Sequence, residues 1–209
     1  MNAAAKTLRP DLAVIAEMIP AGARVLDVGC GDGELLEYLV SEKHVDGRGV
    51  ELSQQNVNAC VTRGLSVVQG DADTDLSEYP SQVFDIVILS QTIQATRSPR
   101  VVLANLLRIG KRTIVSFPNF GHWRVRLSLL VNGRMPQTRA LGNVWYDTPN
   151  IHLCTIADFS ALVRETGGTV ERAIALNEES RTHAMLPDAW GPNLFAEGAI
   201  FMLSGTAGR

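Results

Sequence analysis

The chain of 209 residues is poor in cysteine: Cys30, Cys60 and Cys154 are all it has, and no two of them form a CxxC pair. An odd number of scattered thiols speaks against a disulfide framework and against a zinc site. Free thiols suit a reducing compartment, so a cytoplasmic location is expected. Long apolar runs are missing too. No stretch approaches the roughly 20 apolar residues that span a bilayer, and residues 1–10 hold no run of signal-peptide length. No membrane association is therefore expected. Charge of one sign is also lacking, since 19 Lys and Arg face 22 Asp and Glu for a net charge of −3. Nucleic-acid binders carry a strong basic excess, so nucleic acid is not an expected partner. There is no internal repeat, no low-complexity tract, no zinc-ligand spacing and no Ser-His-Asp order. What remains is an ordinary globular composition, 45% hydrophobic and 20% charged, long enough for one well-buried core and short for two. Residues 1–209 are read as a single domain.

Hydrophobic periodicity gives the organisation. Leu8, Leu12, Ile15 and Ile19 recur at helical spacing, with Pro10 in the first turn where its missing N–H costs little. An apolar strand follows at 24–28, a glycine loop at 29–33, and a helix from Glu34 with Leu35, Leu36 and Leu39 on one face. Short strands are expected at 49–51 and 66–69, separated by a helix over 53–63 that Gly64 closes. Residues 84–89 are nearly all apolar, as a parallel strand buried on both faces must be. Ser98 and Pro99 read as the cap and first residue of a helix running to Ile109, and a fifth strand spans 112–117. Thr155-Ile156-Ala157-Asp158 resembles a capping box, Gly167-Gly168 ends its helix, and strands close the chain at 170–176 and 199–203. The β-α-β-α-β-β-α-β alternation predicts an α/β fold with a largely parallel sheet. Residues 118–154 form the least regular segment. Val125, Leu129 and Leu130 keep helical spacing there, and an insert of this kind shapes an acceptor site or a partner surface.

The chemical signal is concentrated in Val25-Leu26-Asp27-Val28-Gly29-Cys30-Gly31-Asp32-Gly33. Glycines at 29, 31 and 33 let the chain turn sharply between strand and helix and let a ligand approach the backbone. Ligands of open α/β sheets bind at the carboxyl ends of the strands. Glu51 ends the second strand, 20 residues after Gly31, where a carboxylate accepts hydrogen bonds from both hydroxyls of a ribose; Leu52 lies beside it. Asp71 ends the third strand, where an adenine amino group would lie, and Asp27 precedes the glycines. An anionic pyrophosphate prefers backbone N–H groups without acid nearby, and the loop reads GxGxG rather than GxGxxG. A ligand with an amino group and a positive sulfur, S-adenosylmethionine, fits this carboxylate-rich pattern better than a dinucleotide; its product S-adenosylhomocysteine keeps the amino group and carries a neutral sulfur. Cys30 is read as a compact side chain within the loop.

At these residues the sequence resembles the class I S-adenosylmethionine-dependent methyltransferases. Leu26 to Gly31 look like that family's first motif, Glu51 matches its ribose-binding acid, and Asp71 and Ala72 match its adenine-proximal position. Phe84-Asp85-Ile86-Val87 looks like its fourth strand, with Ser90 and Gln91 at the mouth of the site. The resemblance implies a seven-stranded, mostly parallel sheet with helices on both faces and an antiparallel last strand. More specific segments resemble the MetW family of methionine biosynthesis proteins: Ser90-Gln91-Thr92-Ile93-Gln94, Phe117 to Arg124, and Trp145 to His152. Membership would imply a role beside the homoserine O-acyltransferase of methionine synthesis, as a supporting or regulating partner that senses S-adenosylmethionine. The same ligand motif is compatible with a methyltransferase acting on a small molecule or protein. Methyl transfer needs a general base only when the acceptor is protonated. Catalytic candidates lie in the insert at His122, Tyr146 and His152, with Asp147 alongside. Arg124, Arg126, Arg134 and Arg139 make the insert locally basic, which suits an acidic acceptor or an acidic partner surface.

Overall fold

The computed structural model describes residues 8–138, 141–177 and 182–205. Five strands share one direction at its centre: Arg24–Val28 (β1), Asp46–Glu51 (β2), Ser66–Gln69 (β3), Phe84–Ser90 (β4) and Gly110–Pro118 (β5). Parallel pairing joins β1 to β2 and β4, β2 to β3, and β4 to β5. Gly168–Leu176 (β6), Thr182–Ala184 (β7) and Gly198–Gly205 (β8) complete a sheet of order β3-β2-β1-β4-β5-β8-β6-β7. The last strand, β8, lies antiparallel between β5 and β6, so β6 keeps the direction of the first five.

The sheet has eight strands where seven are expected. The additional one is β7, a three-residue antiparallel edge on β6. Its sequence, Thr182-His183-Ala184, is exposed throughout and has no apolar alternation to announce it.

Side-chain alternation divides the core between the two faces of the sheet. Val25, Ile86, Ile88 and Ile114 pack on one face with Pro10–Glu17 (α1) and Glu34–Lys43 (α2), through Leu12, Ile15, Leu35 and Leu39. Leu26, Val28, Val87 and Leu89 face the other way. They meet Pro99–Ile109 (α4) and Ile156–Glu165 (α6) through Val102, Leu106, Phe159 and Val163. Gln54–Thr62 (α3) covers Leu36, Leu65 and Val67 with Val57 and Cys60. Phe117, Phe159 and Phe201 interlock with ring centroids 4.6 to 5.9 Å apart, joining β5 and β8 to α6. Each such aromatic pair contributes about 0.5–1.5 kcal/mol beyond its buried area.

The caps are specific. Thr155 and Asp158 form the capping box in full: Thr155 Oγ1 accepts the Asp158 N–H and Asp158 Oδ2 accepts the Thr155 N–H. At α4 Ser98 holds the cap position and Pro99 the first turn, as expected, but the Ser98 side chain makes no capping hydrogen bond. Asp73 supplies the carboxylate instead, accepting the N–H groups of Arg97 and Ser98 at 2.8 Å each.

The segment over 118–154 leaves β5 and forms Trp123–Asn132 (α5). Its described remainder, 133–138 and 141–154, has no helix or strand. Val125 is the buried residue of α5, whereas Leu129 and Leu130 are exposed. The helical spacing is present, but those two side chains find no core. A further short helix, Trp190–Phe195 (α7), packs near α6.

Candidate functional site

The sharp turn after β1 rests on three left-handed glycines, Gly29 (φ 70°), Gly31 (φ 58°) and Gly33 (φ 84°). Gly29 and Cys30 donate their N–H groups to the Val50 carbonyl, tying the loop to β2. A Cβ on Gly29 would lie 2.6 Å from Thr92 Oγ1, whereas one on Gly31 would meet nothing within 4 Å. The loop is thus packed on one side and open on the other.

Two acids sit under and beside it. Glu51 is 8% exposed. Its Oε2 accepts the Gly31 N–H at 2.9 Å, and its Oε1 accepts the Ser53 N–H at 2.9 Å and Asn56 Nδ2 at 3.4 Å. Asp27 is 2% exposed, and its Oδ1 has no hydrogen-bond partner among the described residues. Burial, and next the charge of Glu51, push the Asp27 carboxyl up to about 7. The thiols of Cys30 and Cys60 both lean on the Gly31 carbonyl, at 3.9 and 3.4 Å. Burial raises both thiols above the ordinary range, so these cysteines fill space rather than act as nucleophiles.

A cavity of about 380 Å³ opens at the carboxyl end of the strands. Of the residues singled out in the sequence, Gly29, Glu51, Leu52, Asp71, Ala72 and Gln91 line it. Asp27, Cys30, Gly31, Gly33 and Ser90 do not: Asp27 lies beneath the loop and Ser90 Oγ pairs with Ser116 Oγ at 3.0 Å. Gln91 is held by its own N–H, which donates to the Ser116 carbonyl at 2.9 Å. The cavity also takes in Asp73, Thr92, Thr96, Arg97 and Pro149, which the sequence reading misses. The Arg97 guanidinium pairs with Asp71 and lies 3.6 Å from Asp73. At this end of the site the sequence points only to Asp71 and Ala72, with Asp73 next in the chain. A larger recess of about 610 Å³ lies at the opposite ends of the strands, by Ala23, Asp85, Lys111 and Arg112. Its charges are matched, Lys111 with Asp85 at 2.8 Å and Arg112 with Glu171 at 2.7 Å, and parallel sheets do not bind ligands there.

None of His122, Tyr146 and His152 lines the 380 Å³ cavity. His122 caps α5, its Nδ1 accepting the Arg124 N–H at 3.4 Å, and burial lowers its pKa. His152 Nε2 lies 3.2 Å from the Arg97 carbonyl oxygen; as a hydrogen bond this makes Nε2 the donor. Tyr146 is exposed, edge-on to Trp145 at 5.6 Å. Pro149 is the insert residue that reaches the cavity. Arg124 stands 3.9 Å from Glu197 and over the Trp123 ring, and Arg126 Nε donates to the Gly121 carbonyl at 2.6 Å. Arg139 lies outside the described residues. Among the described residues there is no group of three or more His, Cys, Asp or Glu placed to hold a metal ion. No helix there is long and apolar enough to cross a membrane.

Comparison with known proteins gives a consistent set. Residues 9–203 match the family model for methionine biosynthesis protein MetW. A bifunctional methionine biosynthesis protein MetXA/MetW from Rhodopirellula baltica is 34% identical over an alignment of 203 residues that covers 93% of this chain. The chain spans 32% of that relative's length. Among solved structures, an S-adenosylmethionine-dependent methyltransferase of Thermotoga maritima, described as a possible histamine N-methyltransferase, superposes with a TM-score of 0.67 at 16% identity, covering 94% of this chain and 88% of that one. The [4+2]-cyclase SpnF superposes with a TM-score of 0.66 at 18% identity, covering 94% and 81%. These two likenesses are of fold, and they belong to proteins of different chemistry, so the fold does not settle the reaction.

Proposed function

This chain belongs to the MetW family of methionine biosynthesis proteins, and from that membership we propose that it binds S-adenosylmethionine or S-adenosylhomocysteine in the 380 Å³ cavity and supports or regulates homoserine O-acyltransferase. One observation carries the ligand: a buried carboxyl with an unpaired oxygen, Asp27, and a second buried acid, Glu51, lie at the glycine loop whose Gly29 lines the cavity. Two acids there oppose a pyrophosphate and favour a cationic amino acid carried on a nucleoside. Glu51 would take the ribose hydroxyls, while Asp71, Ala72 and Leu52 would flank the adenine. Asp27, a buried carboxyl pushed up to about 7, would act through the loop as an acid that gives up its proton more readily when a cation is bound nearby. When bound, S-adenosylmethionine would bring a methyl group on a positive sulfur; the chain's residues hold and orient it.

The partner rests on the relative in which a MetXA part and a MetW part share one chain. We read that MetXA part as the homoserine O-acyltransferase. The second reading is a methyltransferase acting on a small molecule or a protein, and the likeness to methyltransferase structures favours it. Against it stands the placement of His122, Tyr146 and His152, none of which lines the cavity.

Calorimetric titration with S-adenosylmethionine tests the ligand. Saturable binding that weakens about 100-fold in Glu51→Ala is expected, because two charge-assisted hydrogen bonds of about 1.5–3 kcal/mol each are lost, less what rearrangement recovers. Equal affinity in the variant would remove Glu51 from the site. Addition of the chain to homoserine O-acyltransferase, with and without the ligand, tests the partner role. An unchanged acyl-transfer rate in both cases would refute it. Release of S-adenosylhomocysteine with a defined acceptor would replace it with the methyltransferase reading.

A further inference from the structure

Ten of the eighteen large hydrophobic side chains exposed among the described residues fall between Trp123 and Leu153. On α5, Leu127, Leu130 and Val131 are three and four residues apart and so share one stripe; Leu130 is 83% exposed. Beyond the helix, Trp145 and Tyr146 stand 71% and 74% exposed, ring edge to ring face. Beside them lies a depression of about 70 Å³ lined by Phe120, Met135, Leu141, Trp145 and Leu153, with Asn143 and Asn150 at hand for polar contact. This volume is far below the 300–1,000 Å³ of small-molecule sites and suits a single apolar side chain. A concentration of exposed apolar surface of this kind marks a protein contact, and a small pocket beside rigid aromatics is the form that interface anchors take.

Charge indicates what covers it. Residues 118–154 contain four arginines and one aspartate in a chain whose net charge is −3. The basic character thus belongs to the same segment of the chain as the exposed apolar side chains. A partner must then offer an apolar anchor surrounded by acid. Arg124 and Arg126 are engaged with Glu197 and the Gly121 carbonyl, which leaves a mixed aromatic surface rather than the continuous cationic track that nucleic acid requires.

We propose that the Trp145–Tyr146 ridge and its depression, with the α5 stripe as a second point of contact, form the docking surface for an acidic, apolar-centred patch on homoserine O-acyltransferase. The partner's identity rests on the functional reading above; the location rests on the surface itself. The covalent joining of a MetXA and a MetW part in the relative fits such a contact, because a tether raises the effective concentration of two surfaces that meet.

The test uses the full chain and the homoserine O-acyltransferase of the same organism, mixed at low salt and followed by sedimentation and calorimetry. The variants are the double substitution Trp145→Ser with Tyr146→Ser, and separately Leu130→Ser. All three side chains are more than seven-tenths exposed, so the core is untouched. Retained S-adenosylmethionine binding checks that each variant is folded. The expected result is a complex that weakens at least about 30-fold in the double variant, as removal of an anchor does, and weakens further with salt. Unchanged acyltransferase binding in both variants overturns the docking surface and leaves the functional reading standing. No complex with wild-type chain overturns the surface and the supporting role together. Self-association of the wild type that the variants abolish, or preferential capture of RNA, overturns it in favour of those occupants.

Discussion

Replacing Asp27 by Asn isolates the acid beneath the glycine loop. Burial, and then the Glu51 charge, raise the Asp27 carboxyl from its ordinary 3.8 to about 7. In the unfolded chain the group gives up its proton near 3.8, while in the fold it keeps it until about 7. Between these values the native state binds a proton that the unfolded state has released. Stability therefore falls as pH rises through that window and levels off above it. Each pKa unit is worth ~1.4 kcal/mol, so the full span amounts to roughly 4 kcal/mol, of which about 3 falls between pH 4.5 and 8.5. The asparagine variant has no proton to lose. Its own buried amide adds a fixed cost of ~1–3 kcal/mol if a donor is left unpaired, and that offset does not change with pH. The observable is thus the stability difference between wild type and variant across pH. Urea denaturation at pH 4.5, 6, 7 and 8.5, followed by circular dichroism, should show the variant gaining about 3 kcal/mol on the wild type from the lowest to the highest pH. A difference constant to within about 0.5 kcal/mol over that range would refute the raised carboxyl and, with it, the unpaired buried acid from which the site's preference for a cation is argued.

Two further predictions concern the frame of the site. Gly29→Ala and Gly31→Ala both force a left-handed backbone on alanine, at about 1–2 kcal/mol, but only at Gly29 does the new methyl collide with Thr92, 2.6 Å away. Urea melts should rank Gly29→Ala as the more damaging by about 1–3 kcal/mol, and equal losses would contradict the packing described around Thr92. Asp73→Ala removes acceptors for two backbone N–H groups at the start of α4 and should cost about 2 kcal/mol. Arg97→Ala removes a largely exposed ion pair, worth less than about 1 kcal/mol. Thermal unfolding of the two variants separates the cases, and a larger loss for Arg97→Ala would reverse the assignment of the cap.

The sheet is legible in the sequence where a strand is buried on both faces. Phe84 to Leu89 is an apolar run that fits little else, and β1 and β5 read nearly as clearly. At the margins the signal fails for physical reasons. The first half of β2, Asp46-Gly47-Arg48, is polar because it lies toward an open end, so the expectation begins only at Gly49. Trp190–Phe195 contains Gly191 and Pro192, which mask a helix that tertiary contact creates. In the site, Glu51 and Asp71 are legible because one ends β2 and the other follows β3 by two residues, and the fold fixes where strand ends go. The bridge from Asp71 and Asp73 to Arg97 is not, because it spans 24 to 26 residues and depends on how α4 is seated. Asp27 is legible as an acid but not as an uncompensated one, since only packing shows that nothing donates to its Oδ1.

Gln94 shows how the cavity and the insert are joined. It is 1% exposed, in a short 3₁₀ turn at Ile93–Ala95 that follows β4. Its carbonyl accepts the N–H groups of Ile151 and His152 at 2.8 and 2.9 Å. Its amide donates to the Pro118 carbonyl at 3.0 Å and contacts Cys154 Sγ at 3.2 Å. The same turn carries Ala95, Thr96 and Arg97 to the cavity wall, and the Arg97 carbonyl meets the His152 ring. A ligand alters a partner's affinity only if it contacts two states of some shared element differently. The turn after β4 touches both regions: Ala95, Thr96 and Arg97 line the cavity, and Gln94 holds the insert at Pro118 and at Ile151, His152 and Cys154. The regulatory role proposed above therefore requires no catalytic base: it requires that a ligand in the cavity and a partner on the insert both bear on this turn.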